Sequence, residues 1–306
     1  MRRISRDAGP WTIQKLTFLG DYLAAYVKAT QRIRRAEVCF IDLFAGPGFD
    51  KDRDTGEVVD GSPVLALKLH PGFRRFVFVD KDRACTTQLR GLAFDRGLDG
   101  MTHLLTGDCN SLIGQALVHV PTDGATFAFV DPAGVHLDWA TVRAIASHKP
   151  EPRRKIELFV LFPYDMALVR FLTLDKTPEE IWGPEIEHRL DATMPDAVRW
   201  RRVYQARRDG EVDPEETRRR FAYLYWMGFR ELGYKYVLNP KRMASDTGHP
   251  LYFLFFASDH DVGERIMSHI LEKQHAPSQF QLELPGLPVI EDPWDFREGE
   301  TWYGEI

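Results

Sequence analysis

Cysteine is scarce in this chain of 306 residues: three, at positions 39, 85 and 109, an odd count with no Cys-x-x-Cys and no histidine at ligand spacing. Neither a disulfide framework nor a structural zinc site is suggested, and no other metal cluster is apparent, so a reducing cytoplasm is the simplest setting. Long apolar runs are missing as well. None approaches the roughly 18 residues that a membrane span needs, and the basic segment 1–6 lacks the apolar stretch of a signal peptide. The expectation is a soluble cytoplasmic protein without membrane contact. No Gly-x-x-x-x-Gly-Lys-Ser/Thr occurs, which leaves a P-loop nucleotidase unsupported, and no Gly-x-Gly-x-x-Gly opens a helix, which weakens a dinucleotide reading.

What remains is an ordinary globular composition, 44% hydrophobic and 28% charged, long enough for one large domain with an insertion. The net charge of −5 is unevenly spread. Residues 283–305 hold seven acids against Arg297, whereas residues 199–242 hold twelve basic and six acidic residues interleaved with Trp200, Tyr204, Phe221, Tyr223, Tyr225, Trp226 and Tyr234. That basic, aromatic stretch is read either as a grip for a nucleic-acid backbone or as the solvated face of arginine-rich helices.

Short runs rich in β-branched and aromatic residues alternate with helical periodicity, predicting an α/β fold with a mainly parallel sheet. Candidate strands cover 38–43, 75–80, 102–106, 126–131 and 156–162, with 234–238 and 251–257 as a closing antiparallel pair, about seven in all. Leu16, Leu19, Leu23 and Val27 recur at helical spacing before the first strand, with Thr12 as a candidate cap. A helical insertion is expected over 166–233, inside a domain of residues 1–282 followed by an acidic tail, 283–306.

The strongest local signal is Phe40-Ile41-Asp42-Leu43-Phe44-Ala45-Gly46-Pro47-Gly48, an apolar strand running into a glycine turn that a ligand can approach closely. Three further strand ends carry acids: Asp80, Asp108 in Gly-Asp-Cys-Asn, and Asp131 in Asp-Pro-Ala-Gly. Each alone is equally a helix cap or turn acid. Together, in sequence order at the carboxyl edge of a doubly wound sheet, they outline a ligand crevice. S-adenosylmethionine suits it, being cationic and free of pyrophosphate: Asp80 would accept the ribose hydroxyls, Asp108 the adenine amine, and Asp131 would lie beside the methyl group. Its sulfonium activates the methyl group without a metal.

The chain resembles class I S-adenosylmethionine (SAM)-dependent methyltransferases and, more narrowly, the three-Cys-motif partner (TcmP) family. The carrying segments are Trp11-Thr12-Ile13-Gln14-Lys15-Leu16, the glycine turn, Gly61-Ser62-Pro63, the Asp-Pro-Ala-Gly tetrad with Trp139 after it, and residues 250–258. The resemblance implies a Rossmann-like methyltransferase fold, SAM held at Asp42, Phe44, Gly46, Gly48, Asp80, Asp108 and Asp131, and a three-cysteine neighbour as partner. Cytosine-C5 methyltransferases share the cofactor turn but need a Pro-Cys pair, where this chain has Pro132-Ala133. Amino-methyltransferases use Asp-Pro-Pro-aromatic, of which only Asp131 and Pro132 match. Trp139 or Tyr164 could supply the stacking ring. Asp131, Tyr164 and His136 are the catalytic candidates, with Asp165 as a further lining residue, while Lys15 and Arg170 are lone cations read either as contacts for an anionic substrate or, in preference, as solvated surface residues. The acceptor is expected to be nucleic acid or a modified nucleotide; the alternative is a SAM-binding partner protein with little catalysis of its own.

Overall fold

The computed structural model describes residues 4–31, 37–245, 247–273 and 294–298. A short strand β1 (Arg6–Ala8) precedes helix α1 (Pro10–Thr30), whose start is set by Gly9 at the cap and Pro10 in the first turn rather than by Thr12. Strand β2 (Cys39–Asp42) leads into the glycine turn, and the hairpin β3 (Phe49–Asp52) and β4 (Val58–Asp60) precedes α2 (Ser62–Leu67). Alternation then follows: β5 (Arg75–Asp80), α3 (Arg83–Phe94), β6 (Thr102–Thr106), α4 (Cys109–Val118), β7 (Thr126–Val130), α5 (Trp139–Ala146) and β8 (Glu157–Phe162). Four helices come next, α6 (Pro178–Trp182), α7 (Glu185–Thr193), α8 (Ala197–Arg208) and α9 (Pro214–Glu231). The strands β9 (Tyr236–Val237), β10 (Lys241–Ala244) and β11 (Pro250–Ser258) and helix α10 (Asp261–Lys273) follow.

The main sheet runs β10-β11-β8-β7-β2-β5-β6, with β9 pairing on β11. All ladders are parallel except those made by β11, which is antiparallel to β8, β9 and β10. Numbered along the chain without the two-residue β9, the order reads 3-2-1-4-5-7-6 with the seventh strand reversed. This is the Rossmann-like class I methyltransferase fold. Two details differ from expectation. The principal outer partner of β11 is Lys241–Ala244, between the two runs expected to pair, and the acidic segment after the glycine turn forms β3 and β4, which join β1 in a second, three-stranded sheet.

Period-two alternation in the strands sorts the core into two faces. Phe40, Phe76, Phe78, Phe127 and Phe129 point toward α1, α2, α3 and α10, while Ile41, Val77, Val79, Ala128 and Val130 face α4, α5 and the helices of 166–233. Those helices bury their aromatic side: Trp200, Tyr204, Phe221, Tyr223, Tyr225, Trp226 and Tyr234 all lie in the core. These seven aromatic residues therefore offer no stacking platform, and most of the arginines between them are engaged by acids, as in Arg199–Glu231 at 2.8 Å, Arg218–Asp165 at 2.8 Å and Arg242–Glu215 at 2.9 Å, while Arg207 and Arg208 reach the Val212 and Leu174 carbonyls. Of the acidic tail, only 294–298 lies among the described residues; Phe296 packs edge-on against Tyr223 at 5.4 Å and Arg230 meets Glu298 at 2.5 Å.

Glu157, the first residue of β8, is buried and accepts a hydrogen bond from the Tyr22 hydroxyl of α1. Burial pushes its carboxyl up to about 7, against the downward pull of Tyr22, Ser258, Lys149 and Arg154. With the folded value above the unfolded one, the stabilisation carried by the protonated acid is complete below about pH 4.5 and is lost as pH rises through about 7. Glu157→Gln removes this titration. Urea denaturation at a series of pH values should show wild type losing up to roughly 3 kcal/mol relative to the variant across that window; a pH-independent difference between the two would refute the assignment.

Candidate active site

The glycine turn leaves β2 at the point where the strand order reverses, the usual place for a ligand crevice in an open α/β sheet. Asp42, the last residue of β2, is fully buried; its Oδ1 accepts the Phe44 amide at 3.0 Å and its Oδ2 the Ser62 hydroxyl at 2.6 Å. Burial drives its carboxyl up to about 7, with Asp131 and Asp80 adding to the rise. Asp42 thus ties the turn to the start of α2 rather than lining the crevice as expected. Beyond it the backbone enters the left-handed region at Gly46 (φ 65°) and Gly48 (φ 87°), which favours glycine.

Asp80 supports the same turn from the neighbouring strand. Its Oδ2 accepts the Gly46 amide at 2.6 Å and its Oδ1 accepts the Asp82 amide at 2.8 Å. A third donor, Arg6 of β1, reaches Oδ2 at 3.0 Å while its own side chain stays 52% exposed. A Cβ on Gly46 would sit 3.0 Å from the Arg6 guanidinium, so Arg6 rests directly on the turn. It is placed there by β1, which pairs with β3, a segment without strand periodicity in the sequence.

At the third strand end Asp131 pairs with the Lys15 ammonium of α1. The Lys15 side chain is 7% exposed and the Asp131 carboxylate 25%. Lys15 is not a solvated cation: α1 crosses the carboxyl edge of the sheet and turns it inward, 5.7 Å from the centre of the Tyr252 ring. Tyr252 on β11 donates its hydroxyl to the Trp11 carbonyl at 3.1 Å. Trp11, Lys15, Gly46, Asp50, Asp131 and Tyr252 border a cavity of about 180 Å³. Burial raises the Asp50 carboxyl, while Lys15 and Arg6 pull it down.

Of the residues expected to hold a ligand, Phe44, Gly46, Gly48 and Asp131 line this cavity, with Asp80 adjoining beneath Arg6. Other candidates lie elsewhere. Asp108 is exposed and caps α4, accepting from the Ser111 amide at 3.0 Å and its hydroxyl at 3.1 Å. Tyr164 is buried against Phe162, Phe221 and Phe253, and its neighbour Asp165 is clamped by Arg218. His136 is exposed outside the cavity, its carbonyl accepting from Asn110 at 2.8 Å. Trp139 is buried edge-on to Tyr225 and Phe229, which rules it out as the stacking ring. Arg170 is exposed and does not line the cavity. The residues missed, Arg6, Asp50, Ser62 and Tyr252, carry no local signature; Trp11, Ser62 and Tyr252 were visible only within the segments of family resemblance.

No protein-family model matches the chain, and no curated protein matches it. Solved structures similar to it include protein LPL1258 from Legionella pneumophila str. Philadelphia 1, 11% identical with a TM-score of 0.46, covering 84% of this chain and 90% of that one. The METTL16 MTase domain is 11% identical with a TM-score of 0.41, covering 82% and 69%. The methyltransferase domain of bacterial CtHen1 is 17% identical with a TM-score of 0.37, covering 78% and 98%.

The Lys15–Asp131 pair makes an asymmetric prediction. Asp131→Asn leaves a buried ammonium without its counter-charge and should cost roughly 3 kcal/mol, whereas Lys15→Met leaves a carboxylate that solvent still reaches and should cost less. A double-mutant cycle in urea should give a coupling of roughly 1–3 kcal/mol. Additive single effects would show that the pair is not formed in solution.

Proposed function

We propose that this protein is a methyltransferase that binds S-adenosylmethionine in the crevice above the glycine turn and methylates a hydroxyl of nucleic acid or a nucleotide. The observation that carries the reading is the convergence of a left-handed Gly46–Gly48 turn, the Asp80 carboxylate beside it and the Lys15–Asp131 pair at one edge of the sheet. Gly46 and Gly48 bring no side chain of their own to the turn, Asp80 keeps acceptor capacity beyond the hydrogen bonds it already receives, and Asp50 and Asp131 bring carboxylates to the cavity wall. S-adenosylmethionine, when bound, supplies a methyl group activated by its sulfonium. Asp80 would hold the ribose hydroxyls and the turn amides would fix the backbone approach.

The chain's own residues set the acceptor chemistry. Asp131 can accept the proton of an incoming hydroxyl, and the Lys15 ammonium beside it stabilises negative charge developing on that oxygen. An amine attacking the methyl group would instead develop positive charge, which the adjacent Lys15 ammonium opposes. The Trp11 indole at the cavity rim, with the Arg53 guanidinium 5.3 Å from its ring centre, supports a flat base as the neighbouring group. A second reading, a SAM-binding partner of a three-cysteine protein with little catalysis of its own, is favoured by one observation: Arg6 and Lys15 already engage Asp80 and Asp131.

Calorimetry with S-adenosylmethionine and S-adenosylhomocysteine should detect micromolar binding that Asp80→Ala weakens by tenfold or more. Tritiated methyl transfer into RNA, DNA and protein fractions, with and without the three-cysteine neighbour, should label nucleic acid. Asp131→Ala and Lys15→Ala should each lower that rate by roughly 100-fold with cofactor affinity kept within a few-fold. Failure of wild type to bind either ligand overturns the cofactor assignment, and a Lys15→Ala variant as active as wild type overturns the hydroxyl chemistry.

A further inference from the structure

The opposite edge of the main sheet holds a second cavity, of about 270 Å³, that the methyltransferase reading does not use. It lies where β7 and β8 begin, and is closed by the end of α1, by segment 147–156 between α5 and β8, and by the residues that follow β11. Lys149, Arg153, Arg154 and Lys155 all line it.

The donors at this cavity suit an anion. Lys149 is buried, yet its ammonium, with three donors to place, makes one hydrogen bond to a described residue, the Gly124 carbonyl at 2.6 Å. The Thr126 hydroxyl at the start of β7 is buried with no partner among the described residues. Arg153 spends one donor on the Thr122 hydroxyl at 3.2 Å, and the exposed Arg154 makes no hydrogen bond or ion pair with a described residue. The acids nearby do not answer this charge. Asp259 accepts the backbone amides of Lys155 at 3.1 Å and Lys235 at 3.2 Å, Asp123 is exposed at the rim, and Glu157 is committed to Tyr22. Unpaired buried donors are costly, and a tetrahedral oxyanion meets several at once where a carboxylate meets fewer.

We infer that this cavity is a binding site for a small phosphate-bearing anion, separate from the methyl-transfer crevice, with Lys149 and Thr126 as its floor and Arg153 and Arg154 as its rim. The Tyr26 ring on the α1 side gives such a ligand an apolar wall, and the volume suits a phosphate with a small organic group better than a dinucleotide.

Calorimetry and thermal unfolding with inorganic phosphate and with adenosine monophosphate, at low salt, test the site. Wild type should bind saturably in the micromolar to low-millimolar range with a raised melting temperature. Arg154→Glu, at an exposed position, should weaken binding at least tenfold while keeping the wild-type melting temperature without ligand, and Lys149→Met should abolish binding. Arg90→Glu, on the exposed side of α3 and away from the cavity, should bind as wild type does. Tighter binding of the nucleotide than of phosphate would identify the organic group as part of the ligand. Absence of saturable binding to wild type, or an equal loss in Arg154→Glu and Arg90→Glu, would overturn the inference.

Discussion

The crevice depends on a carboxylate that never meets solvent. Asp42 ends the central strand, fully buried, and spends one oxygen on the turn that follows and the other on the first residue of α2. Those two bonds fix where the chain leaves the sheet, so that Gly46 comes within 2.6 Å of Asp80 and the amide of Gly61 can close on the Gly48 carbonyl at 2.8 Å. A buried acid in that position is costly when ionised, which is why its carboxyl is driven up to about 7. Asp42 therefore shapes the binding turn from behind, while Asp80 and Asp131 at neighbouring strand ends carry the charge that a ligand would feel.

Much of the sheet was legible because alternation of apolar residues over four to six positions is a local property. In β5 the run Phe76-Val77-Phe78-Val79 shows both the strand and, through its two side-chain types, the two different layers that cover it. Strand β10 was hidden because Lys241 and Arg242 look like a solvated linker, although Lys241 is in fact buried and only alternate residues face out. The acids of the crevice were harder. Asp80, Asp108 and Asp131 all follow a strand and precede a helix or turn, and a helix cap has the same sequence appearance as a ligand acid. What separates Asp108, which caps α4 in solvent, from Asp131, which meets Lys15, is a contact across 116 positions of sequence that no local pattern encodes.

The basic stretch 199–242 shows how composition can mislead. Its aromatic residues fall on the inward faces of α8 and α9, where Tyr225 stacks on Phe162 at 4.2 Å and Phe229 packs against Phe255 at 5.8 Å. Its arginines then occupy the outward face of the same helices, and most find acids three or four residues away or on adjoining elements, as with Arg220 and Glu216 at 2.7 Å and Arg201 and Asp191 at 2.5 Å. Aromatic residues and positive charge are interleaved in sequence because helical periodicity places them on opposite sides, and a surface that could stack bases and grip phosphates together is not formed there.

Helix α1 joins the two edges of the sheet and limits how the crevice can open. Lys15, Tyr22 and Tyr26 lie seven and four residues apart on one face of a 21-residue helix. The first meets Asp131 at the carboxyl edge, the second holds Glu157 at the amino edge, and the third borders the cavity there. Tyr22 is also wedged between Phe127 and Phe256, each at 5.1 Å. Sliding the helix far enough to free Asp131 would break a buried hydrogen bond and unpack an aromatic cluster, a cost of several kcal/mol by ordinary core energetics. Rotating the Lys15 side chain costs far less, since its four-carbon stem has low-energy alternatives and Asp131 is already reached by solvent. Arg6, half exposed on a short strand, can leave Asp80 in the same way. How far Asp80 and Asp131 are open to the cavity is therefore set by two cation side chains, Arg6 and Lys15, on a frame that stays fixed.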